Sequence, residues 1–348
     1  MDGQAIGDTP PFWWRKAGWQ AWALSPVAFV YGRFAGRRLR RRNGTAFELP
    51  VIRIASLAIG GLGCTEAAAA IALAARRSGM RPGIIACGPP GAYAAPHLVD
   101  RDHDLAKHVG DEALQLARAA PTALCADRLA AARLLAREGH DLIIVADGQA
   151  AERLRADCTL VVIDASRGLG NGHVTPAGPV RAPLVDQLAQ ADALLKIGGG
   201  DGADRAVRLA ARAGRPIYEA VIRPREGIDL SGRRWLAFAG VADPEQFFAM
   251  VVAAGGEIAL KRTFAEGHLY ADDELQDLGQ TAEAEGLSIV TTQRDAQRLH
   301  HTSEAARALR LRAVAIETEL VFEFPKVPET LIGNASEACR LRRFNGNG

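Results

Sequence analysis

The 348-residue chain carries 42 lysines and arginines against 40 aspartates and glutamates, a formal charge of +2, with 48% hydrophobic residues. That balance is too near neutral for a nucleic-acid binder, and it supplies enough apolar side chains for one large core or two ordinary ones. Five cysteines (Cys64, Cys87, Cys125, Cys158 and Cys339) stand singly with no CxxC pair, which argues against a zinc site or a disulfide framework and fits a reducing cytoplasm.

The first marked segment is FWWRKAGWQAWALSPVAFVYG, residues 12–32, which holds four of the five tryptophans. Arg33, Arg37, Arg38, Arg40, Arg41 and Arg42 come directly after it. Its uncharged part is interrupted by Pro26 and falls short of the ~18 to 20 apolar residues of a membrane span, and its flanks are not those of a signal peptide. Trp and Tyr prefer the headgroup level of a bilayer and arginines meet anionic lipid, so the segment is expected to lie in the membrane plane. Packing as an N-terminal helix on its own domain is the alternative.

Residues 51–78 organise the rest of the chain. The apolar run VIRIASL breaks into AIGGLGCTE and then an alanine-rich helical pattern, giving strand, glycine loop, helix. Such a loop aims backbone N–H groups at a phosphate, and the helix dipole adds positive potential there. Measured against the Walker pattern, Gly60, Gly61, Gly63 and Thr65 are present, Ala58 takes the place of the first glycine, and Cys64 sits where the lysine belongs. Plain α/β packing is the other reading of such a turn.

A second strand is expected over 83–87, with a Pro- and Gly-rich loop beyond it. In VGDEALQLARAA, Asp111 and Glu112 open a helix, and Asp111 alone reads as an N-cap or as a catalytic group. The runs at 142–148 and 160–164 are of buried parallel-strand type. Asp147 stands at the carboxyl end of the first, where ligands sit in open parallel sheets and where a carboxylate suits magnesium on a nucleotide. The long loop SRGLGNGHVTPAGPVRAP, residues 166–183, carries Arg167 and Arg181 and is expected to bind. From Ala193 onward strands and helices alternate again, which points to parallel sheets throughout.

Together these motifs resemble those of the tetraacyldisaccharide 4′-kinases, which phosphorylate the lipid A disaccharide precursor with ATP. GGLGCTE is similar to that family's GGTGKTP, VGDEALQLA to VGDEPLLLA, and CADRLAAAR to its PDRVAAA segment. VADGQAAERLRAD resembles DDGLQHxRLxRD, and RGLGNGHVTPAGPVRAP resembles RGFGNGxLLPAGPLREP. AFAGVADPEQFF, FAEGHLY and TTQRDAQRL resemble AFAGIxxPExFF, FPDHHPY and TTEKDAVRL. The resemblance spans roughly residues 11 to 325.

It implies an α/β fold: a P-loop NTPase-like parallel sheet flanked by helices, a second smaller α/β domain and an N-terminal amphipathic helix. The expected domains are a membrane-contact and basic segment over 1–45, a nucleotide and substrate domain over 46–200, and a C-terminal domain over 201–348 that completes the cleft. It also implies ATP and Mg2+ as cofactors and a peripheral place on the cytoplasmic face of the bacterial inner membrane. Asp111 would be the base that takes the proton of the sugar 4′-hydroxyl, with His268 beside it as a catalytic group. Gly60, Gly61, Leu62, Gly63, Cys64 and Thr65 would form the phosphate loop, and Thr65 and Asp147 would hold the metal. Asn171, Arg167 and Arg181 would meet substrate, the two arginines also standing in for the missing lysine.

The departures fall on chemistry. Cys64 replaces the loop lysine, Ala146 the first aspartate of DDG, and Gly267 the first histidine of DHH, while Gln293 and Arg294 replace Glu and Lys. Three readings are open: a working kinase with an altered phosphate clamp, a non-catalytic member that binds lipid or a partner as a regulator, and a kinase for another lipid or sugar.

Overall fold

The computed structural model describes residues 9–40, 44–60, 63–88, 93–146, 154–241, 243–299 and 303–345. A short 3-10 turn, Pro11–Trp14, leads into α1 (Trp19–Arg40), β1 (Val51–Ser56), α2 (Cys64–Arg77), β2 (Pro82–Ala86) and β3 (His97–Leu98). Next come α3 (Ala106–Val109), α4 (Asp111–Leu116), β4 (Thr122–Leu124), α5 (Arg128–Arg137), β5 (Leu142–Ala146) and β6 (Cys158–Asp164). The chain continues through α6 (Leu184–Ala189), β7 (Ala193–Ile197), α7 (Asp204–Arg212), β8 (Ile217–Pro224), β9 (Arg234–Ala239) and α8 (Pro244–Ala253). It ends with β10 (Glu257–Thr263), α9 (Asp272–Ala284), β11 (Ser288–Thr292), α10 (Gln293–Arg298), α11 (Glu304–Arg312), β12 (Ala313–Ile316), β13 (Thr318–Phe322) and α12 (Val327–Asn345).

These elements form two compact units. The larger takes Thr9–Val99, Leu116–Ile222 and Leu320–Gly348; the smaller takes, among the described residues, Asp100–Gln115 and Arg223–Glu319.

The larger unit is built on a nine-stranded sheet of order β13-β8-β7-β6-β1-β5-β2-β4-β3. From β8 to β4 the strands pair in parallel, and β3 at the edge is antiparallel to β4. PGIIA and LIIVA are buried almost throughout because helices cover both faces, which is why they read as unbroken apolar runs. On one part of the sheet α6 and α7 set Leu184, Leu188, Ala206 and Ala210 against Val161, Ile163 and Leu194. On another, Ala131, Ala132 and Leu135 of α5 meet Ile85, Ile143 and Val145. Asp127 starts α5 by accepting the N–H of Leu129 at 3.0 Å, an N-cap.

Helix α1 belongs to this unit. Ala21, Ala28, Gly32 and Gly36 are buried, and a Cβ at Gly32 would lie 3.5 Å from Val174 Cγ1, so the small residues allow a close approach. Arg40 pairs with Asp186 of α6 at 2.9 Å. The opposite arc bears Trp19, Trp22, Phe29 and Phe34 at 65–78% exposure. The helix continues through Pro26, whose ring lacks the N–H that would bond the carbonyl of Trp22, a residue on the exposed side. Among the described residues no helix is long and apolar enough to cross a membrane.

The smaller unit has a four-stranded parallel sheet of order β10-β9-β11-β12. Leu275, Leu278 and Ala282 of α9 and Leu309 of α11 pack on Leu236, Phe238 and Ile289. Phe247, Phe248 and Val251 of α8 cover Trp235, Ala237 and Val290 on the other face. Asp243 caps α8 through the N–H of Gln246 at 3.2 Å, with Pro244 at the first helical position. Strand β10 and helix α9 carry no signal read from the sequence, since EIALKRT is half exposed and lacks an apolar run. The stretch LRLRAVAIETELVFEF is the end of α11 followed by two strands, broken at Glu317.

Candidate active site

In the larger unit β1 delivers the chain to the glycine loop. Ile59 donates its N–H to Pro179 O at 2.8 Å and Arg181 donates to Leu57 O at 3.1 Å, so the 166–183 loop pairs with the loop's entry. Gly60 has φ +69° and Gly63 φ +100°, the left-handed region that favours glycine. A Cβ at Gly63 would press on Ile197 Cδ1, the movable end of a side chain, so it is the φ that calls for glycine there. Cys64 opens α2 and Thr65, its second residue, is buried. Gly61, Leu62 and Asp147 lie outside the described residues.

Arg167 is brought to this loop. Its Nη1 lies 3.4 Å from Gly60 O, and its guanidinium sits 4.4 Å from the centroid of the Trp14 ring, a cation–π stack. Trp14 is itself held by Thr9, whose hydroxyl accepts the indole N–H at 2.8 Å. The arginine therefore stands on a fixed platform beside the phosphate loop. Arg181 is half-buried and enters the same region through its backbone pairing with Leu57.

Asn171 organises its own loop. Its amide donates to Ala177 O at 2.8 Å and to Phe12 O at 3.4 Å, its Oδ1 accepts the N–H of His173 at 3.0 Å, and its backbone N–H meets Trp13 O at 2.7 Å. Trp13 is buried and donates its indole N–H to Pro176 O at 3.1 Å. The segment before α1 is thereby fastened to the loop.

The smaller unit holds Asp111 at the start of α4. Its Oδ2 accepts from Arg298 Nη2. The other end of that guanidinium donates from Nη1 to Asp295 Oδ1 at 2.8 Å and to Gly240 O at 2.8 Å. Asp295 is fully buried and also accepts from Tyr270 OH at 2.7 Å, Thr292 Oγ1 at 2.6 Å and Gly240 N at 3.1 Å. A buried carboxylate with this many donors is compensated. Burial opposes the charge of Arg298, yet the carboxylates of Asp111 and Asp295 leave its pKa raised. Burial, then the charge of Asp295, pushes the Tyr270 phenol up. Tyr270 thus stays a proton donor.

His268 lies in the same unit but bonds elsewhere. Its Nε2 meets Glu274 Oε2 at 2.8 Å and its ring stacks on Phe264 at 5.1 Å. Gly267, with φ +76°, presents no side chain. Arg294 reaches Gln115 Oε1 at 3.3 Å and Glu112 Oε1 at 3.5 Å. Sequence motifs alone pass over Trp14, Arg298, Asp295 and Tyr270. The TTQRDAQRL segment contains two of them, but nothing in their spacing ties them to Asp111, which is distant in the chain.

These residues fit a nucleotide phosphate: two left-handed glycines at the mouth of a 14-residue helix, with a stacked guanidinium alongside. For magnesium, the described part supplies the Thr65 hydroxyl; among the described residues no cluster of three or more His, Cys, Asp or Glu forms a metal cage. Magnesium on a nucleotide takes one or two protein ligands plus phosphates and waters, so no cage is called for.

The family model for tetraacyldisaccharide-1-phosphate 4′-kinase, LpxK, matches residues 20–335. A tetraacyldisaccharide 4′-kinase of Agrobacterium fabrum is 46% identical over 98% of this chain and 98% of its own length. One of Mesorhizobium japonicum is 46% identical over 97% and 98%. The crystal structure of LpxK from Aquifex aeolicus in complex with ATP shares the fold at a TM-score of 0.69, with 19% identity, covering 91% of this chain and 99% of that one. A match across nearly the whole length, with the glycine loop, Asp111 and the RGLGNG loop in their expected order, places this chain in the tetraacyldisaccharide 4′-kinase family.

Proposed function

We propose that this protein transfers the γ-phosphoryl group of ATP to the 4′-hydroxyl of the tetraacyldisaccharide 1-phosphate precursor of lipid A. The observation that carries the reading is full-length membership of the kinase family at 46% identity. The regulator reading is not favoured, because these relatives are kinases over the same length.

In this reading the backbone N–H groups of the Gly60–Thr65 loop hold the phosphates. Arg167 supplies the cation that Cys64 cannot, since a guanidinium can grip phosphate oxygens in pairs. Magnesium, when bound, neutralises charge on the β- and γ-phosphates; Thr65 and Asp147 would hold it. Asp111 accepts the proton of the 4′-hydroxyl as that oxygen attacks. His268, held by Glu274, stands apart from Asp111, and Asn171 shapes the loop that receives the sugar.

The exposed arc of α1, with Trp19, Trp22, Phe29 and Phe34 ahead of Arg37, Arg38 and Arg40, supports docking on the cytoplasmic face of the inner membrane, where the anionic leaflet and the lipid substrate lie. The deciding assay is transfer of labelled γ-phosphate from ATP to the disaccharide 1-phosphate, run beside Asp111→Ala and Cys64→Lys. Turnover that vanishes with Asp111→Ala is the expected result. Silence in all three proteins would overturn the kinase reading.

A further inference from the structure

We propose that Arg298 is the positioning residue of the base. It fixes one oxygen of Asp111 and leaves the other oxygen to receive the proton. The inference rests on the reading of Asp111 as the base and adds the group that acts through it.

An aspartate side chain at the start of a six-residue helix, just after Gly110 at φ +87°, has two free torsions and a pliable backbone behind it. Aim must come from a partner. Among the described residues the side-chain hydrogen bond on Asp111 comes from Arg298 and falls on Oδ2, so Oδ1 is left for substrate. The side chain of Asp111 is 20% exposed whereas that of Arg298 is 6% exposed, so the base is reachable and its partner is enclosed.

The guanidinium has little freedom to turn. Its Nη1 is held at 2.8 Å by both Asp295 Oδ1 and Gly240 O, and Asp295 is pinned by Tyr270, Thr292 and the Gly240 N–H. Because the guanidinium is planar, fixing one end fixes the direction of Nη2. The imidazole expected beside the base is directed elsewhere, since His268 bonds Glu274 and Gly267 carries no side chain.

The charges also balance through the step. Before transfer Arg298 faces two carboxylates, Asp111 and Asp295. In the reaction the hydroxyl O–H bond breaks and its proton passes to Asp111 Oδ1. The hydroxyl oxygen bonds to the γ-phosphorus, and the β–γ bridging oxygen leaves with its electron pair on ADP. Asp111 is then neutral, and Arg298 remains paired with the buried Asp295. An arginine cannot itself take the proton, so its part is orientation and charge.

The test uses the purified full chain with ATP and the disaccharide 1-phosphate, comparing Arg298→Lys, Asp111→Asn, the double variant and Tyr270→Phe. Arg298→Lys keeps the charge but loses the planar fork; its kcat should fall by about 10²-fold, the effect of misplacing a reacting group by an ångström, with both KM values close to wild type. In the Asp111→Asn background the same change should add nothing. Tyr270→Phe, which loosens only the far end of the anchor and keeps the fold measurable, should lower kcat in the same direction and by less. Wild-type kcat in Arg298→Lys overturns the inference, and so does a loss of equal size on top of Asp111→Asn, which would mark a merely structural role. Wild-type kcat in Asp111→Asn overturns the underlying reading of the base, a result separable from either of the others.

Discussion

At Gly63 the need for glycine is conformational, set by a φ of +100°, whereas at Cys64 the chemistry of the loop has been exchanged. A thiol offers phosphate no positive charge, and in the proposed reading the nearby guanidinium of Arg167, stacked on Trp14, supplies it. Arg167→Ala should therefore raise the KM for ATP and cut kcat by ~10²- to 10³-fold, the cost of one lost charge-stabilising donor. In a Cys64→Lys background the same substitution should cost much less, because the lysine restores a cation. Steady-state kinetics on the four proteins reads this directly, and equal losses in both backgrounds would separate Arg167 from the phosphates. Trp14→Ala should mimic a weaker Arg167→Ala, since the ring holds the guanidinium.

Helix α1 has two faces with opposite demands. Ala21 and Ala28 are buried and its glycines lie near Val174 and Pro183, while its aromatic arc is exposed ahead of a basic last turn. Phe29→Asp with Phe34→Asp should release the protein from anionic phosphatidylglycerol vesicles in flotation while leaving its melting temperature unchanged, because those side chains contribute nothing to the core. Retained flotation would assign membrane contact to another surface. At the start of α9 the Ala271 N–H, with His268 beside it, holds the Glu274 carboxyl below the ordinary carboxylate range. A carboxyl with a lower pKa folded than unfolded adds stability above its unfolded value and loses it as pH falls through the folded one. Glu274→Gln should thus lower the melting temperature near pH 7, and the gap to wild type should close below about pH 4.

Over the whole molecule, nucleotide binding should read out as folding stability. Mg-ATP at ~100 times its dissociation constant should add ~2.7 kcal/mol, seen as a rise in melting temperature that Arg167→Ala reduces. Strand periodicity and loop composition sufficed to place β1, β2, β5 and β6 to within a residue or two, because buried parallel strands are apolar on both faces and need no partner to be recognised. β10 and α9 escaped, since half-exposed strands and weakly apolar helices acquire their pattern from what covers them. The glycine loop, Asp111, the RGLGNG loop and the amphipathic α1 were all legible as local strings with fixed chemistry. Their partners were not: Trp14 on Arg167, Arg298 on Asp111 and Tyr270 on Asp295 are pairings across long stretches of chain, which no spacing rule reaches. Nor does the linear order reveal that Asp100–Gln115 packs with Arg223–Glu319. The sequence by itself determined the family and the α/β class and picked out the candidate reactive groups, because those are carried by contiguous residues whose chemistry is their own. Tertiary structure alone decided which cation faces Asp111 and which platform holds the loop arginine, because orientation is a property of packed neighbours.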